Sequence, residues 1–295
     1  MDRDALAQRI TERFETLPAQ LGEAARYVLE NPDDVALLSM REQARRAGVQ
    51  PWTMTRLAKR LGFDGYDRIR ELHAEAIRQG GLEFSGRADQ QLRLQSETGD
   101  RTMAREMVAA AARNVDRLAE PQALDALVAA AEALAGARRV FCLGLRSSHA
   151  AAAQFAYVMS FLGEKAVLVG GDGRTGLDTI RFAAPHDALL ATSVAPYTRA
   201  TVEVARHAAA RGVPVVAVTD SAVSPLAAIA RHVVVVATAS PSFFHSMTPA
   251  FLVGEILAAL VAGRDGPAAL AAITDAERQL SAFGVHLQAP SRNRP

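Results

Sequence analysis

From Arg139 onward, five short apolar runs alternate with segments of helical character, and this alternation restricts the fold more than any other feature of the chain. The runs are Val140–Leu145, Ala166–Val169, Ala188–Val194, Val213–Thr219 and Val233–Ala237. Each is predominantly apolar, which is the pattern of a strand buried on both faces in a parallel sheet covered by helices. The connecting helices are expected near Ser148–Leu162, Arg174–Phe182, Thr198–Arg211 and Pro225–Ala230, with Thr248–Ala262 closing over the sheet. Five such β–α units predict a doubly wound α/β domain with a five-stranded parallel sheet.

The chain before this point has a helical period instead. Leu6, Ile10, Phe14 and Leu17 form one apolar stripe, and Leu21, Ala24, Ala25, Val28 and Leu29 form another. Asn31-Pro32 ends the second helix, because a residue before proline is pushed out of the α region. The segment Met40–Tyr66, MREQARRAGVQPWTMTRLAKRLGFDGY, then reads as two short helices joined by a tight turn. Ala44 and Ala47 allow close helix contact, Gly48 suits a left-handed turn position, and Val49 lies under the turn. Pro51 opens the second helix, where its missing N–H costs nothing. Met54, Leu57, Ala58 and Leu61 face inward, leaving Gln50, Trp52, Thr53, Thr55, Arg56, Lys59 and Arg60 outside or at the margins. This is the layout of a helix-turn-helix whose second helix enters a DNA major groove. An ordinary helical hairpin with a solvated basic face is the alternative. Six basic residues and one acid, Glu42, fall between Arg41 and Arg60 in a chain of net charge +1, and that local excess favours a polyanionic partner.

A further helix starts near Tyr66, with Ile69, Leu72 and Ala76 on its inner side. Gln79–Gly99, with Gly80-Gly81 and Ser85-Gly86, reads as a linker with room for a short helix. Helix resumes at Arg101, where Val108, Ala111, Ala112, Val115 and Leu118 line one face, and another helix runs from Pro121 to near Gly136. The expected organisation is therefore an all-α helix-turn-helix domain over residues 1–78, a linker over 79–100 and the α/β domain over 101–290.

At 295 residues and 49% hydrophobic content, the chain has the length and apolar share for two globular domains. Its longest apolar segment, Ala250–Ala262, is interrupted by Glu255 and too short for a bilayer. The charged, amphipathic start MDRDALAQRITERF is unlike a secretory signal, and the single cysteine, Cys142, lies in an apolar run, so a cytoplasmic location without disulfides is expected. No His, Cys or carboxylate cluster has metal-ligand spacing, and neither metal nor cofactor is expected.

Ligands of doubly wound sheets bind at the carboxyl ends of the strands. Three loops there are rich in hydroxyls: Gly144–Ser148, Thr192–Thr198 and Thr219–Pro225. A serine or threonine at a helix start is an ordinary N-cap. Two such loops on adjacent strands also suit an anion or a polyol.

With these residues in view, the first domain resembles the N-terminal helix-turn-helix of the RpiR/MurR family of transcriptional regulators, notably through LGFDGY, and the second resembles the SIS (sugar isomerase) domain. The resemblance implies a homodimeric or homotetrameric regulator of double-stranded DNA, reading a palindromic operator and responding to a sugar phosphate or sugar derivative. By position, Ser148 matches the serine ending the first SIS loop, and Ser193 and Thr198 match the serine and threonine of the second. Arg146 stands where glycine is usual, and Ala195-Pro196-Tyr197 replaces a stretch that is commonly Ser-Gly-x. Two phosphate donors are thereby lost, which Arg146 or Arg199 could replace. The expected effector residues are Arg146, Ser147, Ser148, Ser193, Tyr197 and Thr198. Gln50 replaces a more usual serine cap, and Trp52 a normally small residue. The expected DNA contacts are Arg45, Gln50, Trp52, Thr53, Thr55, Arg56, Lys59 and Arg60.

The main rival is an SIS-type phosphosugar isomerase or lyase with an added helical domain. Its acid–base candidates are Glu255, His245, His149, Asp172 and Asp178, but no two have a spacing that demands catalysis. A sensory module whose helices serve only dimerisation is the third reading, and the basic face between Arg41 and Arg60 weighs against it.

Overall fold

The computed structural model describes residues 3–78, 84–170 and 173–287. Its helical part contains α1 (Arg3–Arg13), α2 (Ala19–Glu30), α3 (Pro32–Leu37), α4 (Met40–Arg46), α5 (Pro51–Arg60) and α6 (Tyr66–Arg78). The stripes expected from the sequence meet here. Leu6, Ile10, Leu21, Val28, Met54, Leu57, Leu61 and Ile69 are all but fully buried in one cluster, each contributing roughly 1.5–3 kcal/mol. Phe14, Leu17 and Leu29 pack at its edge.

A buried polar network sets the position of α4. Gln43, fully buried, donates from Nε2 to the carbonyls of Val35 (3.0 Å) and Leu38 (2.8 Å). The Tyr66 hydroxyl donates to Gln43 Oε1 at 2.6 Å. Periodicity gave no sign of this, since a glutamine between arginines reads as surface.

The Gln79–Gly99 stretch is mostly helical where described: α7 spans Phe84–Thr98 and α8 spans Asp100–Asp116. The glycines Gly80-Gly81 lie outside the described residues. On α8 the buried positions are Met103, Ala110 and Asn114, while Val108 is 72% exposed. The expected inner face is therefore rotated: the helix turns the stripe through Asn114 inward, where the Asn114 amide donates to Ala239 O at 2.7 Å. By internal contacts the chain divides into two units. The first comprises residues 1–114, 221–224 and 237–246, and the second comprises 115–220, 225–236 and 247–295.

In the second unit α9 (Pro121–Gly136) precedes β1 (Val140–Gly144), β2 (Ala166–Val169), β3 (Ala188–Thr192), β4 (Val215–Thr219) and β5 (His232–Val235). All pairings are parallel and the order is β2-β1-β3-β4-β5. Alternate residues serve opposite faces. Val140 and Cys142 join the core formed with α9, α10 (His149–Ser160) and α12 (Thr248–Asp265). Phe141 and Leu143 join the other, formed with α11 (Arg199–Ala210) and a 3-10 segment at Gly173–Phe182. The five expected strands are present. Pro225–Ala230 is a series of turns and not a helix, held by bonds such as Ile229 N to Leu226 O at 3.1 Å. Beyond the helices expected from the sequence there is α13 (Pro267–Ala282), of which only Ala269 is buried. No described helix is long and apolar enough to cross a membrane by itself.

Candidate functional sites

The helix pair of the first unit owes its angle to backbone hydrogen bonding. Ser39 caps α4, its hydroxyl accepting from Glu42 N at 3.3 Å. At the other end Val49 N donates to Ala44 O (2.9 Å) and Gly48 N to Arg45 O (3.3 Å). These are the two bonds of a Schellman turn, and they need the left-handed φ of +67° that Gly48 adopts. Val49, 7% exposed, tucks under the turn. The chain then enters α5 at Pro51 with Gln50 as an N-cap that makes no side-chain bond.

The inner face of α5 consists of Thr53, Met54, Leu57 and Ala58, with Leu61 at the C-cap. Thr53 departs from the expectation that it lies outside or at the margin: it is 1% exposed, on the same inward side of α5 as Leu57 one turn along, and is not presented on the outer ridge. Thr55 is half-buried, with its hydroxyl 3.7 Å from Met40 Sδ. The outer ridge carries Trp52, Arg56, Lys59 and Arg60, all exposed, with Gln50 exposed ahead of it. The cations differ in their partners. Arg45 grips Glu42 with two bonds (2.9 and 2.6 Å), and Arg46 reaches both Glu42 (3.0 Å) and Asp34 (2.8 Å). Hydrogen bonds from Arg45 and Arg46 hold the Glu42 carboxyl down at about 2. Arg45 is thus charge-paired, although exposed pairs of this kind are weak and can be exchanged for a phosphate. Arg60 lies 3.4 Å from Thr16 O, and Arg56 and Lys59 have no carboxylate partner among the described residues.

In the second unit, the sheet order reverses between β1 and β3, the switch point at which doubly wound sheets take ligands. Gly144 pairs with Thr192, so the loops after β1 and β3 leave the sheet side by side. A Cβ at Gly144 would run into the backbone of Ser148, which shows how tightly the first loop folds back on its strand. Arg146 adopts a left-handed φ of +56°, the conformation for which glycine is suited. Its side chain is exposed, Ser147 is half-buried and Ser148 is 3% exposed at the entry to α10. His149 Nδ1 lies 3.3 Å from Gly144 O and braces the same turn.

In the second loop, Ser193 Oγ accepts from Thr198 N at 3.4 Å, closing the approach to α11. Ala195 N donates to Asp220 Oδ2 at 3.1 Å, and the Tyr197 hydroxyl donates to the same carboxylate. Burial raises the Asp220 pKa, partly offset by these bonds. Asp220 is the residue the sequence reading passed over. Its place at the end of β4 was visible, but nothing in the sequence said that it would cross to the neighbouring loop. Arg199 is turned toward Glu203, with Nε 2.6 Å from its carboxylate, leaving Arg146 as the better placed cation. Among the expected effector residues, Arg146, Ser147 and Ser148 are thus on one loop and Ser193, Tyr197 and Thr198 on the next, at adjacent strand ends. The amides of Ala195 and Thr198 and the hydroxyls of Ser193 and Tyr197 are engaged within the fold, while Arg146 on the first loop is exposed.

The acid–base candidates are dispersed. Glu255 is exposed on α12, Asp178 is exposed on the 3-10 segment, and Asp172 lies outside the described residues. His245 is 8% exposed, with its ring 4.2 Å from that of Phe244. Among the described residues, no group of three His, Cys, Asp or Glu side chains is placed to hold a metal ion.

The SIS domain family matches residues 133–260. The sugar isomerase domain of an RpiR transcription factor from Sphaerobacter thermophilus is 32% identical, over 60% of this chain and 98% of that one, with a TM-score of 0.55. The Vibrio vulnificus NanR protein, solved in complex with ManNAc-6P, shares the fold at 22% identity and a TM-score of 0.57, over 94% of this chain and 98% of that one. An HTH-type transcriptional regulator of Escherichia coli K12, YfhH, is 27% identical over 191 residues, which is 63% of this chain. That match spans 64% of YfhH, just under two thirds of its length. A Thermotoga maritima HTH-type regulator is 24% identical over 75% of this chain and 77% of its own.

Proposed function

The chain belongs to the RpiR family of transcription factors, with an SIS domain at residues 133–260, and from that premise we propose that it binds an operator through α5 and senses a sugar phosphate or related small metabolite at the β1 and β3 loops. The observation that carries the DNA half is the outer ridge of α5, where Arg56 and Lys59 stand exposed with no carboxylate partner among the described residues, while Arg45 and Arg46 are paired. A cationic ridge opposite a fully packed inner ridge is what a major-groove helix requires. We take residues 1–78 as the DNA-binding domain, 79–100 as the linker and 101–290 as the effector domain. The protein acts as a homodimer or homotetramer on a palindromic site in the cytoplasm.

The effector half is supported by the two hydroxyl-bearing loops at the switch point and by the exposed Arg146 beside them. NanR, bound to ManNAc-6P, has the same fold, which makes a phosphorylated sugar the first class to try. Catalysis is the weaker reading, because Glu255 and Asp178 are solvent-exposed and so lack the setting that tunes a general base. The test has two arms. Duplexes selected from the source genome are titrated with wild-type protein and with Arg56→Ala/Lys59→Ala; the variant should lose binding and show a flatter salt slope. An unchanged affinity would refute DNA recognition by α5. In the second arm, melting temperature is followed against sugar phosphates, free sugars and sugar acids, and a ligand of the folded state must raise it with concentration. Shifts with free sugars alone would remove the phosphate from the reading.

A further inference from the structure

Trp52 is the chain's sole tryptophan and is 56% exposed on the outer ridge of α5. Its position there contributes nothing to the core, which the opposite ridge of the helix already fills. One turn along the same ridge, the guanidinium carbon of Arg56 lies over the indole, 5.1 Å from the ring centroid. That is well within cation–π range. Arg56 has no carboxylate partner among the described residues, so the indole is what orients it. Both residues lie in the first two turns of α5, the part of a recognition helix that meets base edges.

We propose that Trp52 is a specificity-determining residue: its indole holds the Arg56 guanidinium so that the pair reads a guanine, with the free part of the indole against the methyl of an adjacent thymine. This rests on the assignment of α5 as the recognition helix. The chemistry is complementary. A guanidinium lying over an aromatic face keeps its in-plane donors available at its edge, where guanine O6 and N7 accept two bonds in the major groove. An arginine already restrained loses less freedom on binding than one waving in solvent. The indole carries no charge, so its effect falls on discrimination between sequences and not on the salt dependence of binding. That separates it from a phosphate contact.

The experiment is selection from a randomised duplex library with the full chain, followed by titration of the selected site and of single-base variants, for wild type, Trp52→Ala, Trp52→Phe and Arg56→Lys. Wild type is expected to select a guanine flanked by a thymine in each half-site. Trp52→Ala should lose about tenfold in preference for that guanine, the lower range of one bidentate contact, with an unchanged salt slope. Trp52→Phe, which keeps an aromatic face, should recover most of the preference, and Arg56→Lys should lose it while keeping the charge. Trp52 emission should change on adding the selected duplex and change less with the guanine replaced. Trp52→Ala selecting the same site with the same preference would overturn the inference and leave α5 as the recognition helix. Wild type binding every duplex alike would overturn both. Since Trp52 is outside the core, melting curves of its variants should overlay that of wild type, which controls for folding.

Discussion

At the scale of single residues, Arg146 sets its backbone conformation against the effector role proposed for it. An L-residue in the left-handed region costs about 1–2 kcal/mol, and glycine would relieve it. Glycine also frees the unfolded chain, giving back roughly 0.5–1 kcal/mol. The first term is the larger, so Arg146→Gly should raise stability by about 0.5 kcal/mol, read as a higher urea midpoint at unchanged slope. The same substitution should weaken binding of any anionic effector, because it removes the exposed cation of the first loop. A variant that is both stabilised and fully responsive would show that Arg146 has no part in binding. Asp220 is the opposite case, a carboxylate whose cost of burial is met by Ala195 N and Tyr197 and whose work is to hold the second loop in shape.

Among elements, the placement of α4 against α3 and α6 decides whether α5 is presented at all. Gln43 and Tyr66 do this from the interior, and burial pushes the Tyr66 pKa far above its usual range, so its hydroxyl remains a donor at any working pH. Tyr66→Phe leaves Gln43 Oε1 buried without that donor and should cost about 1–3 kcal/mol. Chemical denaturation should show that loss. Operator affinity measured well below the unfolding midpoint should also drop, because α4 and α5 move together through the Schellman turn. A loss of stability with intact affinity would confine Tyr66 to folding. The structure also explains why Thr53 and Thr55, both expected contacts, differ from Trp52 and Arg56: a helix turns about 100° per residue, so neighbours in sequence face different partners.

For the whole molecule, the pH response of the second unit should centre on Asp187. It is 1% exposed and accepts from Arg138 (2.9 and 3.0 Å), Arg139 (3.2 Å) and Ala184 N (2.9 Å). Burial alone would raise its pKa, but these four bonds overcome it and hold the carboxyl well below the ordinary 3.8. A depressed folded-state value stabilises above the unfolded pKa, and that contribution is lost as the pH falls through the folded value. Stability should therefore be level near neutrality and decline below about pH 4. In Asp187→Asn that part of the acid limb should flatten, with a loss of about 2 kcal/mol at pH 7 because two half-exposed arginines lose their charge partner. An acid limb identical to wild type would place the sensitivity elsewhere.

Sequence by itself determined both architectures. Apolar runs alternating with helical segments point to a two-sided parallel sheet, and the period of the first 78 residues, with Gly48 and Pro51 at fixed offsets, points to a close helix pair. These features are local, and short-range sterics and burial decide them. Tertiary structure decided which marginal residues reach solvent and which pairs meet: Thr53 inward, Val108 outward, Arg45 on Glu42, Asp220 across to Ala195, Arg56 over Trp52. The rotation of a helix about its axis and the crossing of a side chain to a neighbouring loop depend on partners far apart along the chain, and no periodicity within a segment encodes them.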